Sequence, residues 1–372
     1  MKSKGVTHNK YYSLVYRFKA WLQRAVVEGL ILRRHAERLY LVLGGHIFFQ
    51  SLHAAVKFDL FSILAESPGL TRNEIASRLG IQPQPARILL LNLTAAGFLR
   101  KRADRYFNTR VTRELFGRGS RTNISSYVSF EGELIYPAMP HLYESLRQYR
   151  NVGIDEFEGT EATLYERISR NEFLQGIFQD AMSALSVQTN RLLANFVDLS
   201  GVTYLVDVGG GDSTNIVALA KKYPQLRASV FDLPSVCKVA DEKLIASGLD
   251  GRLSTICGNC FSDLFPVGAD CFLFAHFMTM WSEEKDRLIL QKSFEALKPG
   301  GKAIIFNMMQ HDDETGPLSA AVGSPYFLAL ATGEGMLYTW KEYEQWMRDA
   351  GFSDVKRIVL PRDHGAIVGV KH

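Results

Sequence analysis

The chain has few cysteines, little net charge and no long apolar run. Its four cysteines, Cys237, Cys257, Cys260 and Cys271, all lie in the last half of 372 residues. Cys257 and Cys260 have C-x-x-C spacing, but Gly258 and Asn259 lie between them and no second pair exists. A zinc ribbon or disulfide framework thus lacks its ligand set, and reduced thiols in a cytosolic protein fit better. No metal site is expected. The net charge of +4 is small for this length, which argues against nucleic acid as the main partner. Met1 to Lys10 is polar, and no signal-peptide apolar core follows it. The run Leu39 to Phe49 is apolar, but Gly44, Gly45 and His46 interrupt it. A bilayer span needs about 20 residues, so this run reads as a buried helix and no membrane partner is expected. Internal repeats and low-complexity stretches are absent.

What is present is ordinary for a globular protein: 47% hydrophobic and 22% charged residues. The length suits two domains rather than one core. Residues 11–44 read as helix with Arg17, Lys19, Arg24, Arg33, Arg34 and Arg38 interleaved. Such a basic face is solvated on a helix packed against a partner subunit; the alternative is an anionic membrane surface. Next, Ala54 to Phe61 is helical, Thr71 caps Arg72 to Leu79, and Pro85 to Ala96 forms a further helix. Gly97 to Arg100 and Tyr106 to Asn108 suggest a hairpin. Helix–turn–helix plus hairpin is a winged helix, which keeps a DNA-binding regulator open as a second class of function. Against that, the second helix and its approach offer Pro83, Pro85 and Arg87 but few polar reading residues.

The densest signal is Val206-Asp207-Val208-Gly209-Gly210-Gly211-Asp212-Ser213. A strand-like run meets three glycines and then a helical run from Asn215 to Lys222. Without a Cβ, such a turn lets a ligand approach the backbone. Asp232 ends a second apolar run, 21 positions beyond Gly211. An acid there in a βαβ unit can take both ribose hydroxyls of an adenosine-bearing cofactor. A dinucleotide fingerprint would need a third glycine where Thr214 stands. Asp207 would also repel a pyrophosphate, whereas it can hold water or an ammonium group. S-adenosylmethionine (SAM) is therefore favoured over NAD.

Further landmarks follow in order: Gly258-Asn259-Cys260-Phe261, Trp281-Ser282-Glu283-Glu284 with Ser282 as helix N-cap, Leu297 to Lys302, Thr339 to Glu344, and Ala350-Gly351-Phe352. With Leu205 to Gly211 and Phe231-Asp232-Leu233-Pro234, they resemble SAM-dependent small-molecule O-methyltransferases of the plant caffeate and bacterial antibiotic-pathway type. The resemblance covers residues 200–370. It implies an α/β fold: a Rossmann-like class I methyltransferase domain with a mostly parallel seven-stranded sheet, after a winged-helix dimerisation domain. Expected boundaries are 1–118, 119–200 for helices roofing a substrate pocket, and 201–372. Val355 to Leu360 and Ala366 to Val370 should form the antiparallel edge. A homodimer and a small aromatic substrate are implied.

By the same resemblance, SAM contacts fall at Asp207, Gly209, Gly211, Asp232, Leu233, Asn259, Cys260 and Phe261. Phe130, Tyr136, Phe178 and Met182 stand where the family places substrate-facing residues, although apolar helical positions are also core. Phe277, Met280, Met308, Tyr326 and Phe327 are expected to line an apolar pocket. The family's base is a His in His-Asp-Trp, supported by two later carboxylates. Registering Trp281 on that Trp puts Thr279 at the base, Met280 at the acid and Asn307 at the first carboxylate. The second falls near Leu337 or Glu334. Three readings stay open. The acceptor needs little base, as an amine or an electron-rich carbon would. Or another residue takes the proton, His276 before His311 and His364. Or the fold has given up methylation.

Overall fold

The computed structural model describes residues 18–19, 21–22, 33–120, 122–249 and 251–372. Most of the expected 11–44 helix lies outside these residues; Arg33–Leu43 is helical. The chain divides into two compact units, Met1–Gly117 and Arg118–His372. The segment 119–200 belongs to the second.

In the first unit, helices Gly45–Lys57 and Leu60–Glu66 precede strand β1 (Leu70–Thr71). Helices Arg72–Leu79 and Pro83–Ala95 follow, then β2 (Leu99–Arg102) and β3 (Arg105–Asn108). The strands pair antiparallel in the order β1-β3-β2, the wing of a winged helix. Thr71 closes a full capping box with Glu74, so this helix starts where its sequence signal stands. The next helix starts two residues earlier than expected, because Pro83 suits a first-turn position with no N–H to satisfy. Leu60, Leu64, Ile75, Leu90 and Leu93 are fully buried beneath these helices. Asn108 donates through Nδ2 to the Phe61 carbonyl at 2.7 Å, tying β3 to that core.

The run Leu39 to Phe49 differs from the expected buried helix. It breaks at Gly44 into two helices, and Leu41, Val42 and Leu43 are 62%, 78% and 63% exposed. Past the break Phe48 and Phe49 are half-buried, so the packing of this run on its own unit begins only in the second helix. No single described helix is long and apolar enough to cross a membrane.

The second unit holds a seven-stranded sheet: β4 (Tyr204–Val208), β5 (Arg227–Asp232), β6 (Leu253–Cys257), β7 (Cys271–Ala275), β8 (Lys302–Met308), β9 (Ser353–Val359) and β10 (His364–Val370). The order is β6-β5-β4-β7-β8-β10-β9. The first five run parallel, and β10 is antiparallel to both β8 and β9. Helices cover both faces, so the inner strands are continuous apolar runs; all of β7 is buried. Strand alternation separates two cores. Val206, Phe274, Ile305 and Ile367 pack with Ile289, Tyr343 and Trp346 on one face. Leu205, Leu273, Phe306 and Ala366 pack with Ile216 and Leu219 on the other. Edge strand β9 exposes Lys356 and Arg357, which discourages further strand pairing.

Candidate active site

The glycine corner follows β4 directly. Gly209 and Gly211 have φ of 67° and 58°, which suits glycine. A Cβ on Gly209 would stand 2.0 Å from the Phe277 ring, so that ring forms the floor of the corner. Above Gly211 nothing lies within 4 Å of a Cβ position. The two signals 21 residues apart meet here: Gly211 N–H donates to Asp232 Oδ2 at 3.0 Å and Leu233 N–H to Oδ1 at 2.7 Å. Burial pushes the Asp232 carboxyl up, and these two donors oppose that. Asp207 is fully buried beneath the corner. Burial above all pushes its carboxyl up to about 8, against a hydrogen bond from Asn215, with nearby Asp232 and Asp212 adding to the rise. Its Oδ2 accepts from Asn215 at 3.2 Å while Oδ1 has no partner. Open space over Gly211, a carboxylate at its rim and an unpartnered acid oxygen below fit a cofactor with a ribose and a charged amino-acid tail.

The loop after β6 borders the same corner. Gly258 N–H donates to the Asp232 carbonyl at 2.9 Å. Asn259 Oδ1 accepts from Phe261 N–H at 2.9 Å, which folds the loop tightly. Lys292 Nζ clamps it by donating to the carbonyls of Cys260 and Asp263, each at 2.6 Å. Burial pushes the Cys260 thiol up to about 12, so it stays protonated. Phe261 meets Trp281 edge to face at 4.7 Å, and Leu233 is 40% exposed.

Beyond β7 the chain turns through Met278–Met280, a short 3-10 segment. Thr279 is buried within it. Ser282 holds the N-cap position of the Glu283–Ala296 helix, yet its side chain makes no capping bond. Asn307 is fully buried on β8, donates to the Tyr343 hydroxyl at 3.2 Å, and leaves Oδ1 unpartnered. His276 lies elsewhere. Its ring packs against Phe306 at 5.1 Å and His364 at 5.2 Å. Phe306 and Asn307 are neighbours on β8, so they face opposite sides of the sheet and His276 is on the side away from Asn307. Burial first, then His364, lowers the His276 imidazole to about 3, leaving it neutral and weakly basic. His364 Nδ1 lies 2.8 Å from the Arg362 carbonyl. Glu334 pairs with Lys285.

The aromatic residues assemble in part. Phe130, Phe178, Met182 and Tyr326 share one cluster. The Phe130 ring lies 5.9 Å from Phe178 and 5.8 Å from Tyr326. Phe327 is 5.1 Å from Tyr326. Tyr136 is half-buried just beyond the π-helical turn Glu131–Ile135. Phe277 belongs instead under Gly209, and Met308 ends β8 opposite His364. Thr332 Oγ1 donates to the Met280 carbonyl, linking the segment after Tyr326 to the Thr279 turn.

Four further residues carry no sequence signal as site residues. Tyr127 packs on the aromatic cluster, burial pushes the carboxyl of nearby Glu131 up, and Tyr165 approaches Tyr326 hydroxyl to hydroxyl at 3.5 Å. Asp286 is fully buried with neither carboxylate oxygen partnered, and burial, then Glu334, pushes its carboxyl well up. It occupies a helix position that reads from sequence as an ordinary first-turn acid. Among the described residues no three His, Cys, Asp or Glu gather as metal ligands.

A parallel sheet with an antiparallel edge, a glycine corner after its central strand and a ribose-type acid after the next define a SAM-dependent methyltransferase. Comparison with known proteins gives the family. A family profile for the O-methyltransferase domain matches residues 140–353, and one for the O-methyltransferase dimerisation domain matches residues 40–118. The chain belongs to this O-methyltransferase family. It is 36% identical to the L-tyrosine C(3)-methyltransferase of Streptomyces lavendulae, over 90% of this chain and 93% of that protein. Identity to the 3-hydroxy-5-methyl-1-naphthoate 3-O-methyltransferase of Streptomyces sahachiroi is 35%, over 87% and 91%. The solved apo structure of the SAM-dependent methyltransferase SibL superposes with a TM-score of 0.79 at 36% identity, covering 90% of this chain and 98% of that one. Human N-acetylserotonin methyltransferase with SAM shares the fold, with a TM-score of 0.80 at 24% identity over 91% and 97%. The protein is thus a SAM-dependent methyltransferase of small molecules.

Proposed function

We propose that the protein methylates a small phenolic intermediate of a natural-product pathway, at oxygen, as a cytoplasmic homodimer. The observation that carries the cofactor half is the hydrogen bond between Gly211 and Asp232, which closes one crevice from two distant motifs. Bound SAM supplies a methyl carbon that leaves its sulfonium sulfur when an electron-rich atom attacks in line. Asp232 would accept from the ribose hydroxyls, and Gly209 and Gly211 would let the cofactor tail reach the backbone. The unpartnered Oδ1 of Asp207 would face its ammonium group, through water or directly. Leu233, Asn259, Cys260 and Phe261 would border the adenine. Phe130, Phe178, Met182 and Tyr326 would hold the acceptor, so that proximity and alignment supply much of the rate.

A second reading has one specific observation behind it. The family's base position is Thr279 and its supporting position the amide of Asn307, so neither can take a proton near neutral pH. His276 is neutral, weakly basic and on the other face of the sheet. A ring carbon made electron-rich by a neighbouring oxygen suits such a site, and the Streptomyces lavendulae relative is named a C(3)-methyltransferase.

Isothermal calorimetry with SAM should give micromolar binding, and Asp232→Ala should weaken it at least roughly tenfold, the loss of about one charge-assisted hydrogen bond. Unchanged binding would refute the crevice. Incubation of phenols with methyl-labelled SAM, read by carbon NMR, distinguishes the acceptors: a methoxy signal means oxygen, an aryl methyl signal means carbon.

A further inference from the structure

The aromatic cluster carries a group that a plain phenol does not need. Glu131 begins one π-helical turn, Glu131–Ile135, and Tyr326 immediately precedes another, Phe327–Ala331. Such turns are rare and recur at functional sites. They set the Phe130 and Tyr326 rings 5.8 Å apart at 72°. Phe178 lies 5.9 Å from Phe130 and 5.5 Å from Tyr165. Burial pushes the Tyr165 hydroxyl up to about 12 and the Tyr326 hydroxyl well above its usual range, yet both side chains retain accessible surface. Rings packed on one another and still half-accessible suit the wall of a hollow. Glu131 is half-buried one helical turn beyond Tyr127, which packs on the cluster, and, after burial, its charge helps push the Tyr127 and Tyr326 hydroxyls up, so it lies near these phenols. No cation neutralises it among the described residues, and burial pushes its carboxyl up. A half-buried carboxyl without a cation partner, beside aromatic faces, is unfavourable for the empty protein and favourable for a bound cation.

We propose that the acceptor carries a cationic amine, received by Glu131 and the ring faces of Tyr127, Phe178 and Tyr326. This rests on reading the hollow as the acceptor pocket. An aromatic amine or amino acid then binds with its ring toward the Thr279 turn, which the chain beyond Tyr326 reaches through Thr332 and Met280. The amine anchors one end while the opposite end of the ring meets the methyl group.

The test compares tyramine with 4-ethylphenol, which differ only by the amine. Binding to the full-length protein saturated with S-adenosylhomocysteine is measured by calorimetry at pH 7. Tyramine should bind at least about tenfold tighter, the scale of a desolvated cation over aromatic faces beside a carboxylate. In Glu131→Gln this preference should collapse to about twofold or less. Phe178→Leu, which keeps an apolar side chain and removes only a ring face, should reduce it in part. Equal binding of the two phenols, a preference that survives Glu131→Gln, or no measurable tyramine binding overturns the proposal. Cofactor binding is recorded on each variant. Its loss from the unsubstituted protein would instead sink the methyltransferase crevice, so the two failures read differently.

Discussion

Gly209 has no room for one more carbon. A methyl group there would overlap the Phe277 ring, and φ of 67° disfavours any L side chain. Gly209→Ala should therefore cost roughly 1–3 kcal/mol of stability and weaken SAM binding, as read by urea unfolding and calorimetry. Full stability would mean that Phe277 moves freely and is not the floor of the corner. Asp207 gives a pH signature. Its folded pKa of about 8 lies above the usual 3.8, so it is buried as the neutral acid. That contribution to stability is complete below about pH 4 and is lost as pH rises toward 8. Asp207→Asn should flatten the fall in melting temperature of the cofactor-free protein across that window. An unchanged slope would show that Asp207 is ionised in the folded state. His276→Asn keeps a residue tolerant of positive φ. We expect turnover within about threefold of the parent, since a general base is worth about 10²-fold or more. A hundredfold loss, with a limb in the pH–rate profile, would make His276 the base after all.

At the level of elements, sequence signals worked where a side chain answers its own backbone. Thr71 and Thr339 both close capping boxes, with Glu74 and Glu342. Ser282 has the right residue type and no capping bond. Thr339→Ala should cost about 1 kcal/mol and Ser282→Ala less than about 0.5 kcal/mol in chemical unfolding. The first loss also reaches the site, because the Trp340–Asp349 helix carries the Tyr343 hydroxyl that holds Asn307. Equal effects would mean that the two caps do not differ as the structure has them. The two π-helical turns are of another kind. Neither Glu131 to Ile135 nor Phe327 to Ala331 is marked in the sequence, since no residue type signals an i→i+5 bond. The second is tied from a distance: Asn151 Nδ2, which donates to the Ala162 carbonyl at 2.9 Å, also reaches the Leu330 carbonyl at 3.4 Å.

For the whole molecule, the exposed apolar side chains of 39–47 match a chain that carries a dimerisation domain. Leu43 and Ile47 are 63% and 54% exposed, too much large apolar surface to leave in water. Sedimentation should show a dimer, and Leu43→Lys with Ile47→Lys should shift it to monomer while the far-ultraviolet dichroism is kept. A double variant that stays dimeric would move the interface elsewhere.

The glycine corner and the acid 21 residues beyond it were legible from residue types, because backbone sterics and strand periodicity act locally; the seven-stranded sheet with its antiparallel edge was implied by the family resemblance, and the order of its strands is decided by long-range pairing. Registering Trp281 on the Trp of the resembled family also puts Thr279, not a His, at its base position from residue types alone. Which side of the sheet His276 faces was not legible, because that depends on where β7 ends and how the chain turns toward the Phe306 side. Nor were Glu131 and Asp286, ordinary helical acids in sequence, whose burial comes from elements far along the chain closing over them. Local chemistry determined the motifs; only long-range packing decided which polar groups lost their water, and a desolvated charge is what gives a site its preferences.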